Sequence, residues 1–137
     1  NRPSEILQTD DPMKPVKLRE VVMATGAIPV NYEEEALCCG AGVGNTEEEP
    51  SMQILVNKLN SALNAGAEAF VVNCPACFQQ FDSNQKKAEK LSGNTYGIPI
   101  LYLTELLALS FGIKPDEIGV KFHRSRLTAL LEKYNLK

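Results

Sequence analysis

Several things are scarce or missing in this 137-residue chain, and each absence removes a class of function. No apolar run approaches the roughly 20 residues that a bilayer-spanning helix needs. No basic stripe is present: 14 Lys and Arg stand against 17 Asp and Glu, and a net charge of −3 gives nucleic-acid binding no support. No signal peptide is visible. At four residues, cysteine is too sparse for a secreted domain held together by disulfides. No repeat, low-complexity stretch or domain boundary interrupts the chain. It opens on Asn1 rather than Met, and so reads as a fragment or a processed product.

What is present suits one globular domain. Hydrophobic residues make up 44% and charged residues 23%, and the length is sufficient for a real core. Residues 1–14 read as irregular, with Pro3, Pro12 and an Asp10-Asp11-Pro12 turn. From Pro15 to Thr25, Val16, Leu18, Val21, Val22 and Thr25 predict an amphipathic helix stopped by Gly26. Ala27 to Tyr32 leans towards strand, and Glu33-Glu34-Glu35 reads as a solvated charge run. Thr46 and Glu49 have capping-box spacing for a helix to Ala65. Ala69 to Asn73 predicts a buried strand, Pro75 to Leu91 a helix, and Gly97 to Leu103 a second strand. Thr104 is placed as the cap of the next helix, which Gly112 stops. A turn at Pro115–Ile118 and a helix over Arg126–Tyr134 complete the reading. Strands alternating with helices imply an α/β fold: a parallel sheet of about three to four strands, flanked by helices, in Rossmann-like βαβ units.

The chemistry lies in the cysteines. Cys38 and Cys39 are adjacent and run into Gly40, Gly42 and Gly44. Neighbouring side chains point to opposite faces of a strand, so both thiols can meet one object only where the backbone turns. Glycine permits that turn and a close approach of the main chain. Cys74 and Cys77 form a CxxC pair between a strand and a helix, and 34 residues separate Cys39 from Cys74. That distance holds one helix and one returning strand, so both pairs are expected at the same sheet edge, where α/β sites form. Cys74 at the helix cap and Cys77 in its first turn would be favoured as thiolates by the free amides and the helix dipole. Soft metals and iron–sulfur clusters require thiolate ligands. Spacing alone leaves three other roles open. The cysteines could be small buried hydrophobes. Cys74 and Cys77 could be a thioredoxin-like redox pair, which leaves Cys38 and Cys39 idle. All four could hold a structural zinc ion, although adjacent cysteines sit awkwardly around a tetrahedron.

Cys38-Cys39-Gly40 followed by Cys74-Pro75-Ala76-Cys77 resembles the cysteine-rich CCG domain, which occurs in the B subunit of heterodisulfide reductase, a succinate dehydrogenase subunit, and glycolate and lactate oxidase components. The phrases RPSEILQTDDP, LCCGAG, NCPACFQQFDSNQ and IPILYLTELLALSFG are most similar to the second, C-terminal repeat of the reductase subunit. The resemblance covers almost the whole chain. It implies a non-cubane 4Fe-4S cluster ligated by Cys38, Cys39, Cys74 and Cys77, with Gly40 close to it. It also implies an oxidoreductase that reduces a disulfide such as CoM-S-S-CoB, through single electrons from iron–sulfur and flavin-carrying partner subunits, in the cytoplasm. The family motif has a further cysteine upstream, just before the phrase matched by Asn1-Arg2-Pro3-Ser4. Residues 1–137 are therefore expected to be a single CCG domain, the C-terminal fragment of a longer subunit. Such a fragment alone is expected to be inactive, and to hold no cluster, a damaged cluster or zinc. The alternative function is a zinc-bound four-cysteine interaction domain of an electron-transfer complex.

Other residues carry weaker signals. His123, the one histidine, reads as a surface or packing residue; the resemblance adds a substrate or proton role. Gly42 and Gly44 read as plain turn glycines. Asn73 and Gln79 are candidate hydrogen-bond donors to cluster sulfurs, or simple caps and solvated side chains. Lys86, Lys87 and Lys90 read as the wet face of a helix. Phe78 and Phe81 read as core, with one available to shield the site.

Overall fold

The computed structural model describes residues 6, 7, 9–11 and 14–136. Five helices and two strands order the described chain: α1 Lys17–Ala24, α2 Glu48–Asn64, β1 Phe70–Val72, α3 Pro75–Ser92, β2 Ile100–Tyr102, α4 Leu103–Ser110 and α5 Thr128–Lys133. The irregular reading of 1–14, with Pro3 and Pro12, lies largely outside the described residues.

β1, α3 and β2 form one βαβ unit. The strands are parallel, with Phe70 opposite Ile100, Val71 opposite Leu101 and Val72 opposite Tyr102. Alternation along each strand serves two apolar layers. Phe70, Val72 and Ile100 belong to the main core, with Leu55, Leu59 and Ala62 of α2 and Phe81 and Ala88 of α3. Leu101 belongs to a smaller cluster with Leu109, Val120 and Leu127. Phe81 stacks on Phe70 with ring centroids 4.8 Å apart.

Among the described residues the sheet has two strands, not three or four. The missing strand is Ala27–Tyr32, which runs without ladder pairing. Pro29 has no amide hydrogen to give a ladder. The Arg19 guanidinium takes the Pro29 and Val30 carbonyls at 3.3 and 3.4 Å, and Ile28 is 87% exposed.

Helix ends also differ from the pattern reading. Pro15 precedes α1 instead of opening it. The Asp10 carboxylate reaches across to accept the amides of Val16 and Lys17 at 3.0 and 3.1 Å. Thr46 does not cap α2, which begins after Glu47; its hydroxyl donates to Val43 and closes a 3₁₀ turn over Val43–Asn45. Thr104 lies inside α4. The start of α4 is held by Glu105, whose carboxylate accepts the Tyr102 amide at 2.8 Å. Pro75 opens α3 as expected, with Cys74 at the cap, and Gly93 ends it in the left-handed region at φ 73.

Candidate metal centre

The CCG corner is built against α2. Gly40 sits at φ +84, and a Cβ there would lie 3.0 Å from the Ser51 carbonyl oxygen and 3.2 Å from Ile54. Only glycine allows both that conformation and that approach. The Gly40 carbonyl accepts the Gly44 amide at 3.1 Å and the Ser51 hydroxyl at 2.9 Å. Ser51, fully buried, in turn accepts from the Gln80 side chain at 3.0 Å. α3 and α2 thus hold the corner jointly. The close approach seen at Gly40 is to α2. Gly44 is more than a turn glycine, since a Cβ there would meet the Ser51 hydroxyl at 2.9 Å; Gly42 is open.

The turn splits the adjacent thiols. Cys39 is buried at 6% exposure and joins the core, while Cys38 is exposed. The Cys77 thiol donates to the Cys39 sulfur at 3.2 Å, across 38 residues of sequence. Cys77 also shares a hydrogen bond with Cys74. Burial first, then the Cys39 and Cys74 sulfurs, push the Cys77 thiol up to about 12. Cys74 moves the other way: the amides of Cys77 and Ala76 face its sulfur and lower its pKa, although they form no regular cap hydrogen bond. The sulfurs therefore meet in a chain, Cys39 to Cys77 to Cys74, rather than around one point. Among the described residues no group of three or more His, Cys, Asp or Glu is placed to hold a metal ion.

Cys39 and Cys77 line a cavity of about 840 Å³ together with Lys58, Tyr32 and Asn73. Lys58 is a residue that pattern reading missed. Its ammonium is buried and donates to the carbonyls of Glu34, Glu35 and Leu37 at 2.5, 3.2 and 2.8 Å. The Glu33–Glu35 run is thus partly tied down: Lys58 holds its main chain, and Arg19 pairs with Glu35 at 2.6 Å. The available signal was a lysine between Leu55 and Leu59 on the apolar stripe of α2.

Other candidates fall as follows. Gln79 is exposed, and Gln80 is the glutamine tied to the corner. Asn73 is exposed but lines the cavity. Phe81 is core. Phe78 stacks on Tyr102 at 4.3 Å and meets His123 edge-on at 4.8 Å. His123 is not a surface residue. Its side chain is 6% exposed, with Nδ1 donating to the Ile100 carbonyl at 2.9 Å and Nε2 against Glu105 at 3.0 Å. Lys86, Lys87 and Lys90 are exposed as expected, and two of them pair with Glu89 and Glu48.

The cysteine-rich domain family, CCG, matches residues 5–82, which hold all four cysteines. The chain belongs to the CCG cysteine-rich domain family. This CCG domain is 37% identical over 122 residues to the B subunit of the ferredoxin:CoB-CoM heterodisulfide reductase of Methanosarcina mazei, covering 88% of the chain and 41% of that protein. It is 38% identical over 122 residues to the B subunit of the ferredoxin/F(420)H(2)-dependent CoB-CoM heterodisulfide reductase of Methanosarcina acetivorans, with the same coverage. It is 30% identical over 119 residues to the 8-methylmenaquinol:fumarate reductase membrane anchor subunit of Wolinella succinogenes, covering 87% of the chain and 42% of that protein. The chain thus spans about two-fifths of the length of the curated relatives it matches. Among the described residues no helix is long and apolar enough to cross a membrane.

The residues present suit an iron–sulfur centre. The donors that converge are thiols, the ligands such clusters use. Cys39 and Cys77 line one cavity wall, Cys74 adjoins Cys77, and Cys38 is exposed. Cys39 offers a buried sulfur, Cys77 a half-buried one, and Cys74 a thiol whose pKa is lowered by the amides of Cys77 and Ala76.

Proposed function

We propose that this CCG domain carries an iron–sulfur cluster of the non-cubane 4Fe-4S kind, in a protein resembling the B subunit of heterodisulfide reductase. Cys38, Cys39, Cys74 and Cys77 are its ligands, and residues 1–137 form the C-terminal domain of a longer subunit. The observation that carries this reading is the 3.2 Å contact between Cys39 and Cys77, which joins two stretches of the family motif at one cavity wall. When bound, such a cluster supplies electrons one at a time. Reduction of a disulfide takes two electrons and two protons and releases two thiols. The electrons come from iron–sulfur and flavin-carrying partner subunits, in the cytoplasm. In this reading Gly40 and Gly44 let the corner sit tight on α2, and Cys74 ionises readily at the end of α3 that faces the cluster.

The test is anaerobic reconstitution of the full-length subunit with iron and sulfide. The expected product is brown, holds iron and sulfide together, and loses both on Cys39→Ser or Cys77→Ser. A wild-type subunit that takes up no iron, or variants with unchanged iron content, would overturn the assignment. Zinc retained at one equivalent under the same iron loading would replace it with a structural metal site.

A further inference from the structure

Lys58 is the one buried cation beside the thiols among the described residues. It makes no ion pair within 4 Å among those residues, and its three hydrogen bonds all go to main-chain carbonyls. A neutral amine has two N–H groups, whereas three carbonyl acceptors need three donors, so this geometry requires the ammonium form. Holding a cation out of water without a counter-ion is expensive. Burial does draw the Lys58 pKa down, and charge on Glu34, Cys39, Cys77 and Cys38 opposes that pull. Three of those four opposing groups are the thiols proposed as ligands. The ammonium also grips Glu34, Glu35 and Leu37, the turn that leads directly into Cys38 and Cys39.

We infer that Lys58 is a positioning residue for the metal centre: it fixes the approach to the CCG corner and supplies the positive charge that balances an anionic thiolate cluster. The inference rests on the cluster reading above. Lys58 does not ligate the metal. A fixed cation beside the cluster favours its more negative, reduced form and so raises its reduction potential.

The experiment compares wild type, Lys58→Gln and Lys58→Arg in the full-length subunit reconstituted anaerobically. Gln removes the charge and, with a shorter side chain and two N–H groups, keeps only part of the hydrogen bonding; Arg keeps the charge. Iron retention against a chelator and the midpoint potential of the cluster are read, with circular dichroism as the check on folding. Lys58→Gln is expected to fold, to hold metal about tenfold more weakly, and to shift the potential to more negative values. Lys58→Arg is expected to stay near wild type in both. A folded Lys58→Gln with wild-type retention and potential overturns the inference, because a purely structural lysine leaves the potential unmoved. Should Lys58→Gln fail to fold, the Arg variant decides: a folded Lys58→Arg with a lowered potential overturns the charge role. Wild type without iron sinks the cluster reading itself, and so is told apart from failure of Lys58 alone.

Discussion

Lys58 and Asp82 are opposite charges settled by the same means. Lys58, on α2, gives three hydrogen bonds to main-chain carbonyls. Asp82, on α3, accepts three: from the amides of Arg124 and Ser125 at 2.9 and 2.8 Å, and from the Ser125 hydroxyl at 2.6 Å. Both are buried, and neither has an ion-pair partner within 4 Å among the described residues. Among those residues every buried side-chain nitrogen and oxygen has a hydrogen-bond partner. Satisfaction therefore does not separate a charge that holds the fold from one that serves a site; surroundings do. Asp82 looks onto main chain and fastens the segment before α5. Lys58 looks onto a cavity and three ionisable thiols.

The largest break in this comparison is Asp82→Ala. It leaves the buried Ser125 amide and hydroxyl and the half-buried Arg124 amide without their acceptor, and the expected loss is about 3 kcal/mol of folding stability. Urea denaturation of the metal-free chain measures it. A loss below about 1 kcal/mol would mean that Asp82 is not the fastening it resembles. Next comes Gly40→Ala, which forces a Cβ into the left-handed region and against the Ser51 carbonyl. About 2 kcal/mol is expected there, with reduced iron uptake in the reconstituted subunit because the Cys38–Cys39 corner must shift. Asp82→Ala should lower stability while leaving the iron content of the folded fraction unchanged. Equal loss of iron in both variants would erase the distinction between the two regions.

Much of this was readable in the sequence, and the reasons are local. The βαβ unit announced itself because Phe70–Val72 and Ile98–Leu101 are apolar runs bounded by turn residues, and Pro75 can open a helix. The approach of Cys39 to the Cys74 and Cys77 pair followed from one crossover, while Cys38, expected in the same cavity, is exposed. The third strand failed because strand propensity at Ala27–Tyr32 ignores what Arg19, eight or more residues earlier, does to the Pro29 and Val30 carbonyls. Thr46 and Glu49 matched a capping box by spacing, yet the 3₁₀ turn ahead of α2 claims the Thr46 hydroxyl. Gln79 and Gln80 are neighbours in sequence, and the helical phase of α3 decides which one reaches Ser51. Lys58 was legible only as an anomaly, a cation on an apolar stripe, and its partners lie 21 to 24 residues away. His123 reads in sequence as a surface or packing residue, and it packs; which of the two it is could not be told from sequence, since its burial depends on β2, α4 and Phe78 meeting.

Alkali should distinguish the thiol region from the rest. An unfolded cysteine ionises near 9, while folded Cys77 is raised to about 12. Between those values the unfolded chain has released a proton that the folded chain keeps, so stability falls as pH rises. Tyr32, raised from 10 to about 12 chiefly by burial, acts in the same direction above pH 10. Cys74 is lowered, so its contribution grows with pH and is complete by about pH 9. Metal-free wild type should therefore lose stability between pH 9 and 11, and Cys77→Ala should flatten that loss, leaving the part due to Tyr32 and to Tyr102, which burial also raises. Equal losses of stability in wild type and Cys77→Ala, by chemical denaturation at pH 8, 9, 10 and 11, would show that Cys77 is not shielded in solution.

The smallest effect belongs to the exposed pair Lys87–Glu48, at 2.5 Å between α3 and α2. Short as it is, both side chains are more than half exposed, and solvent screens such a pair until little net stabilisation is left. Lys87→Ala should therefore leave the denaturation midpoint nearly unchanged, and salt should reduce even that difference. It serves as the reference for Lys58, which is also a lysine on a helix of this core. If removing the exposed charge altered iron retention or cluster potential as much as Lys58→Gln does, the effect at Lys58 would reflect only the protein's overall charge. A tenfold effect at Lys58 against none at Lys87 would place the cause in the burial of Lys58 beside Cys39 and Cys77.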